Sequence, residues 1–130
     1  MRPVVVFGLL HAGLSIVRSL GRQGVPVHGV ALRPNEFGLR SRYLVSSGLA
    51  AGPDGLVKAL RAAGAGGERP VLFPERDENV EVVLERWDEV RELADVPLPD
   101  HSEATMRLRR EDVLPEVAAA AGVDAPRTVP

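Results

Sequence analysis

The sequence predicts an α/β fold with a parallel sheet, and three observations carry the prediction. A β-branched apolar run, Pro3-Val4-Val5-Val6-Phe7, stops at Gly8 as a buried strand does. Beyond Gly13, Leu14, Ile16, Val17 and Leu20 recur at helical spacing, while Arg18, Ser19, Arg22 and Gln23 take the other side. The same alternation of strand and helix then repeats along the chain. Units of that length need crossover connections, which make neighbouring strands parallel. Four or five such strands with helices on both faces make the expected architecture Rossmann-like.

Each element has its own justification. Gly21 and Gly24 end the first helix, and V-P-V-H-G-V-A (25–31) is the second strand. Residues 32–42, L-R-P-N-E-F-G-L-R-S-R, form a polar loop, and Tyr43 to Ser46 is a short third strand. Gly52-Pro53-Asp54 opens a helix whose apolar face is Leu56, Val57, Leu60 and Ala63. G-A-G-G (64–67) closes it ahead of a strand at P-V-L-F-P (70–74). Val80, Val83, Leu84, Trp87, Val90 and Leu93 mark one long helix, with Glu81, Glu85, Asp88, Glu89 and Glu92 facing away. V-P-L-P-D (96–100) is extended, a short strand or edge segment, and His101 to Arg110 is a short helix. Val113 to Ala121 is the last helix, with Asp112 as N-cap, Pro115 in the first turn and Gly122 at its close. The remaining V-D-A-P-R-T-V-P is extended and reads as the start of a connection to further sequence. The expected division is a Rossmann-like domain over 1–106 and a helix with linker over 107–130.

Composition narrows the function. The 130 residues suffice for one domain with a real core. The absence of Cys removes disulfides, thiolate metal sites and cysteine nucleophiles. His11, His28 and His101 are too scattered for a metal-ligand pattern. Gly8, His11 and Gly13 interrupt the apolar start, which argues against a signal peptide or membrane span and for a cytoplasmic protein. The net charge of −2 is unevenly spread, at +5 over residues 1–50 and −7 over 51–130. A basic first half beside a glycine turn favours a small anionic ligand. Nucleic acid is disfavoured, because the basic residues are not interleaved with aromatics and aromatics are 4% of the chain.

The turn Gly8-Leu9-Leu10-His11-Ala12-Gly13 is the leading candidate site. A strand, a glycine turn and a helix leave backbone N–H groups facing outward at a helix N-terminus, ready for carboxylate or phosphate. A P-loop needs Lys and Ser/Thr next, and Leu14-Ser15 stand there instead. A dinucleotide fingerprint needs Gly at position 10, where Leu stands, and an acid after strand two. Ala31, Leu32 and Arg33 occupy that place, so an NADP reading survives only through Arg33. Tight packing of Gly8 and Gly13 is the structural alternative. His11 lies in the turn, as a ligand contact or an ordinary turn residue. Arg33, Arg40 and Arg42 follow a strand and are expected near the carboxyl edge of the sheet, where ligands bind in open α/β sheets. Glu75, Asp77 and Glu78 follow another strand and are expected at the same edge. Capping and dipole compensation would also account for Asp77 and Glu78. No Ser-His-Asp order or G-x-S-x-G turn supports hydrolysis, and no residue is assigned a catalytic role.

Five segments in order carry a resemblance. They are V-V-V-F-G-L-L-H-A-G-L-S-I-V-R-S-L-G-R-Q-G-V-P-V-H-G-V, S-R-Y, P-V-L-F-P-E-R-D-E, P-L-P-D and A-G-V-D-A-P-R-T. Together they make the chain resemble the N-terminal, pre-ATP-grasp domain of the ATP-grasp superfamily, nearest its carboxylate–amine ligase-like branch. The resemblance implies an enzyme that joins a carboxylate to an amine through an acylphosphate, using ATP and Mg2+. It implies substrate-binding roles for Gly8, His11 and Gly13, for Arg42 of S-R-Y, and for Glu75, Asp77 and Glu78. The family's nucleotide-contacting Lys has no counterpart before Gly122 unless Arg109 or Arg110 substitutes. The lobes that clamp ATP and hold magnesium would follow residue 130, so this chain is expected to be inactive alone, with those C-terminal domains as partners and a homodimer possible. The alternatives are a free-standing nucleotide- or NADP-binding module and a non-catalytic interaction domain.

Overall fold

Val4, Val5, Val6 and Phe7 are all buried and form β1 (Val4–Phe7), the strand that both neighbours pair with. In the computed structural model, which describes residues 1–100, 106–107, 110 and 112–125, four strands make one sheet. They are β1, β2 (Val27–Ala31), β3 (Leu44–Leu49) and β4 (Val71–Pro74), in the order β3-β2-β1-β4. All pairings are parallel, with Val4 opposite both Val27 and Val71, and Ala31 opposite Leu49. The chain is a Rossmann-like α/β protein. Beyond β4, Asp95 adds one parallel bridge to Val71, and the expected edge segment that follows it, 96–100, forms no strand. Its carboxylate sits between Arg2 and Arg69.

Strand alternation sends Val4 and Val6 to one face and Val5 and Phe7 to the other. On the first face Val17 of α1 (His11–Gly21) packs with Val4, Val6, Leu9, Val27 and Ala31. On the second, α2 (Pro53–Ala63) buries Leu56, Val57, Leu60 and Ala63, the stripe read from the sequence, against β1 and β2. Short 3-10 turns follow β2 (Phe37–Arg40) and α2 (Gly64–Gly66).

The long acidic helix is two helices, α3 (Asp77–Glu85) and α4 (Trp87–Leu93), both packed on α2. Arg86 leaves helical geometry between them, at φ −129° and ψ 38°. Its guanidinium bonds to Asp54 at the start of α2 and to Glu89. Val83, Trp87 and Val90 are still buried, so the apolar period runs through the break, which hydrophobic spacing alone does not reveal. The third strand extends to Leu49, three residues past its expected end, and is an edge strand exposed from Val45 to Leu49.

The chain divides into two compact units, Met1–Pro97 and Leu98–Pro130. In the second, α5 (Leu114–Ala120) has Pro115 in its first turn, as expected. Its N-cap is Val113, because the Asp112 carboxylate is taken by Arg110 at 2.6 Å instead. Gly122 and Val123 donate back to Ala119 and Ala118, the Schellman pattern that closes a helix. The expected helix at 101–110 lies outside the described residues apart from Met106, Arg107 and Arg110, of which Met106 and Arg107 are helical. Arg109 and 126–130 lie outside them too.

One contact fixes how α1 leaves the sheet. α1 begins at His11, so Gly13 sits inside its first turn, buried rather than in a loop. A Cβ there would lie 1.9 Å from the Gly8 carbonyl oxygen. Gly13→Ala is therefore expected to cost about 3 kcal/mol, because the clash is with backbone that cannot yield cheaply. The midpoint of chemical denaturation measures it, and an unchanged midpoint would contradict this packing.

Candidate functional site

Because β1, β2 and β4 run in register, the residues that follow them, Gly8, Leu32 and Glu75, emerge at one carboxyl edge. The ladder continues one step beyond the strands, with Gly8 N–H donating to Val30 and Glu75 N–H to Phe7, each at 2.8 Å. Gly8 has φ +100°, and a Cβ there would lie 2.8 Å from the Glu75 carboxylate and 2.7 Å from Asn79 Oδ1. Only glycine fits that turn.

The outward N–H groups of the turn do face anions, and the anions are the protein's own. Leu10 N–H and Ala12 N–H donate to the two oxygens of Glu75, at 3.4 and 3.2 Å. Leu9 N–H donates to Glu36 Oε2 at 2.6 Å. The other Glu36 oxygen accepts from Leu32 and Arg33 N–H, at 2.9 and 3.1 Å. An exogenous carboxylate or phosphate seated on Leu9, Leu10 and Ala12 would have to displace these side chains, so the expected open cradle is corrected to a filled one. The dinucleotide alternative loses its phosphate donors for the same reason. Helix N-termini stabilise nearby negative charge whatever its source, and here two loop glutamates supply it.

The rest of the predicted set divides. Gly8, His11, Gly13, Arg33, Glu75, Asp77 and Glu78 gather at or beside this edge. Arg33 forms a two-pronged pair with Glu78 at 2.9 and 2.8 Å, and Arg76 lies 3.3 Å from the same carboxylate. Its hydrogen bond from Arg33 holds the Glu78 carboxyl below the ordinary carboxylate value. Asp77 and Glu78 occupy the first turn of α3, where their charge offsets the helix dipole. The ring of His11 meets Phe37 edge-on, 5.0 Å between centroids.

Arg42 does not join them. It precedes β3 by two residues, and Leu44 pairs with Val27, the first residue of β2. A parallel partner must start where its neighbour starts, so the 32–43 connection crosses the sheet and delivers Arg42 to the amino edge. There Arg42 donates to the Tyr43 hydroxyl at 3.0 Å.

Two residues of the edge escaped the sequence reading. Glu36 is 5% exposed, and its signal was there: it is the one acid among the first fifty-three residues. Asn79 is 1% exposed, and among the described residues neither atom of its amide finds a partner. It lies four residues before Val83, on the buried stripe of α3, where a polar residue breaks the pattern.

Fold and edge define a Rossmann-like α/β domain whose carboxyl-edge turn is buttressed by glutamates from two other loops. A scan against protein-family models and a search of curated proteins return no match. Among the described residues no helix is long and apolar enough to cross a membrane.

Two outcomes check the site. Glu36→Ala leaves three N–H groups without their acceptor and should cost about 3 kcal/mol or more, against about 1 kcal/mol for the more exposed Glu75→Ala, by denaturant midpoints. Glu78 has a folded-state pKa below its unfolded one. Its pairing therefore contributes stability above the ordinary carboxylate range and loses it as pH falls through the lowered value. Arg33→Gln should move the Glu78 titration upward, followed by carboxyl NMR.

Proposed function

We propose that this domain forms the substrate-side wall of an ATP-dependent carboxylate–amine ligase that works through an acylphosphate in the cytoplasm, and that it is inactive without the nucleotide-clamping lobes of such an enzyme. One observation supports the reading above the others. The strand-one turn and the Phe73-Pro74-Glu75-Arg76-Asp77-Glu78 segment, which the resemblance assigns to one cleft, touch directly through Glu75 on Leu10 and Ala12. The all-parallel order β3-β2-β1-β4 supports it as well.

On this reading the domain binds and orients substrate. Glu75 is held by two backbone donors and retains lone pairs to accept from a substrate amine. Arg33 is the cation at the edge that a substrate carboxylate meets, in exchange for Glu78. His11 borders the same turn. ATP and magnesium supply carboxylate activation in such enzymes. Among the described residues no group of three or more His, Asp or Glu is placed to hold a metal ion.

The test uses the product of the full reading frame. ADP should form only when ATP, Mg2+, a carboxylate and an amine are all present, and hydroxylamine should trap the acylphosphate as a hydroxamate. Glu75→Gln should raise KM for one substrate about tenfold, or about 1.4 kcal/mol, and leave KM for ATP unchanged. No ADP from any carboxylate–amine pair, or tight NADPH binding by the chain, would replace this reading with another.

A further inference from the structure

The amino-edge position of Arg42 places it in a groove of about 450 Å³ between α1 and the Phe37–Tyr43 segment. The groove is lined by Arg18 of α1, Arg22 at its C-cap, Arg40, Arg42, Ser41, Tyr43, Leu14 and Phe37. Four of these eight residues are arginines. Among the described residues none of the four has a carboxylate partner, whereas Arg2, Arg33, Arg61, Arg69, Arg76, Arg86 and Arg110 are each ion-paired and Arg91 stacks on Trp87 instead. The only acid in the first fifty-three residues is Glu36, whose oxygens are spent on three backbone N–H groups.

Four like charges around one groove oppose folding. Arg18 and Arg22, one turn apart on α1, add their own repulsion. Compensation of the α1 dipole accounts for those two, but not for Arg40 and Arg42, which lie on a separate segment. The groove is also built. Gly21 lets Tyr43 against α1, since a Cβ there would lie 2.5 Å from Tyr43 Cβ. The guanidinium of Arg42 then lies over the Tyr43 ring, 5.0 Å from its centroid.

We propose that this groove binds a small molecule carrying adjacent phosphate groups, with Arg18, Arg22, Arg40 and Arg42 as its cationic contacts. Guanidinium forks match phosphate oxygens two at a time, and a diphosphate offers enough oxygens for several forks where a single phosphate does not. The volume suits a ligand of roughly nucleotide size. Tyr43 and Ser41 add hydroxyl groups, and Phe37 adds an exposed ring at one end. Hydrogen bonds from Arg42 and Arg22 hold the Tyr43 phenol below its ordinary value. The Phe37 end of this groove touches His11 while Arg42 sits at the amino edge, and the proposal does not depend on the ligase reading.

The experiment is calorimetric titration of the whole chain at fixed ionic strength with pyrophosphate, ADP and inorganic phosphate. Pyrophosphate and ADP should bind saturably at one site, each at least tenfold more tightly than inorganic phosphate. Tighter binding of ADP identifies a nucleotide, and equal binding a free diphosphate. Arg22→Gln with Arg42→Gln should weaken both at least tenfold, Arg18→Gln should weaken them less, and Arg61→Gln should change nothing. Circular dichroism establishes that each variant is folded. The bound anion should also shift the alkaline absorbance transition of Tyr43, the one tyrosine, to higher pH. Absence of saturable binding, equal affinity in the double variant, or tighter binding of a single-stranded oligonucleotide through the same arginines would overturn the proposal.

Discussion

The structure of the carboxyl edge depends on one buried carboxylate. Glu36 holds Leu9 with one oxygen and Leu32 and Arg33 with the other, so it ties the turn after β1 to the loop after β2. Its own loop is pinned in return, because Gly38 N–H donates to the Leu9 carbonyl at 2.9 Å. A turn that starts a helix carries backbone donors without intrahelical partners, and burying them unpaired costs more than most side-chain contacts return. Glu36 resolves that for Leu9, and Glu75 does the same for Leu10 and Ala12. The approach of α1 to the sheet, with Gly13 against the Gly8 carbonyl, follows from the geometry these bonds hold.

Filling the turn from within changes the electrostatics of the edge. Strand-one turns in open α/β sheets are commonly read as places for a ligand phosphate. Here the anions arrive covalently attached, from loops that follow β2 and β4. What the edge offers instead is charge already engaged: Glu75 on the backbone of the turn, Glu36 on the Arg33 N–H, and the Arg33 guanidinium paired with Glu78. Positive charge that is not neutralised lies elsewhere, along α1 and the crossing segment. The +5 charge of the first fifty residues therefore has a location, and it is not the location that chain order implies.

The candidate site was legible where one residue type has one physical use. Gly8 and Gly13 stand out by spacing, and the structure gives each a steric reason. Glu75 stood out because no cap or dipole argument explained it, and it proves to bridge two loops. Asp77 and Glu78 were recognised as first-turn acids, and Glu78 has the further task of holding Arg33. Glu36 and Asn79 were missed because burial of a loop carboxylate or a helix amide depends on what other segments bring to it. Arg42 was assigned to the wrong edge by a rule that is true of residues just after a strand and false of residues just before the next one.

By itself, the sequence determined what local chemistry determines. Strands are apolar and β-branched, helices carry a 3.6-residue stripe, and strand–helix alternation of this length forces parallel pairing, so the class of fold follows from neighbours along the chain. Only the tertiary structure decided which N–H groups were already satisfied, where the acidic helix broke at Arg86, and which arginines share a groove. Those outcomes are set by pairs far apart in sequence, such as Glu75 with Leu10 or Arg42 with Arg18. Their proximity is decided by register and crossover, and no local pattern encodes either.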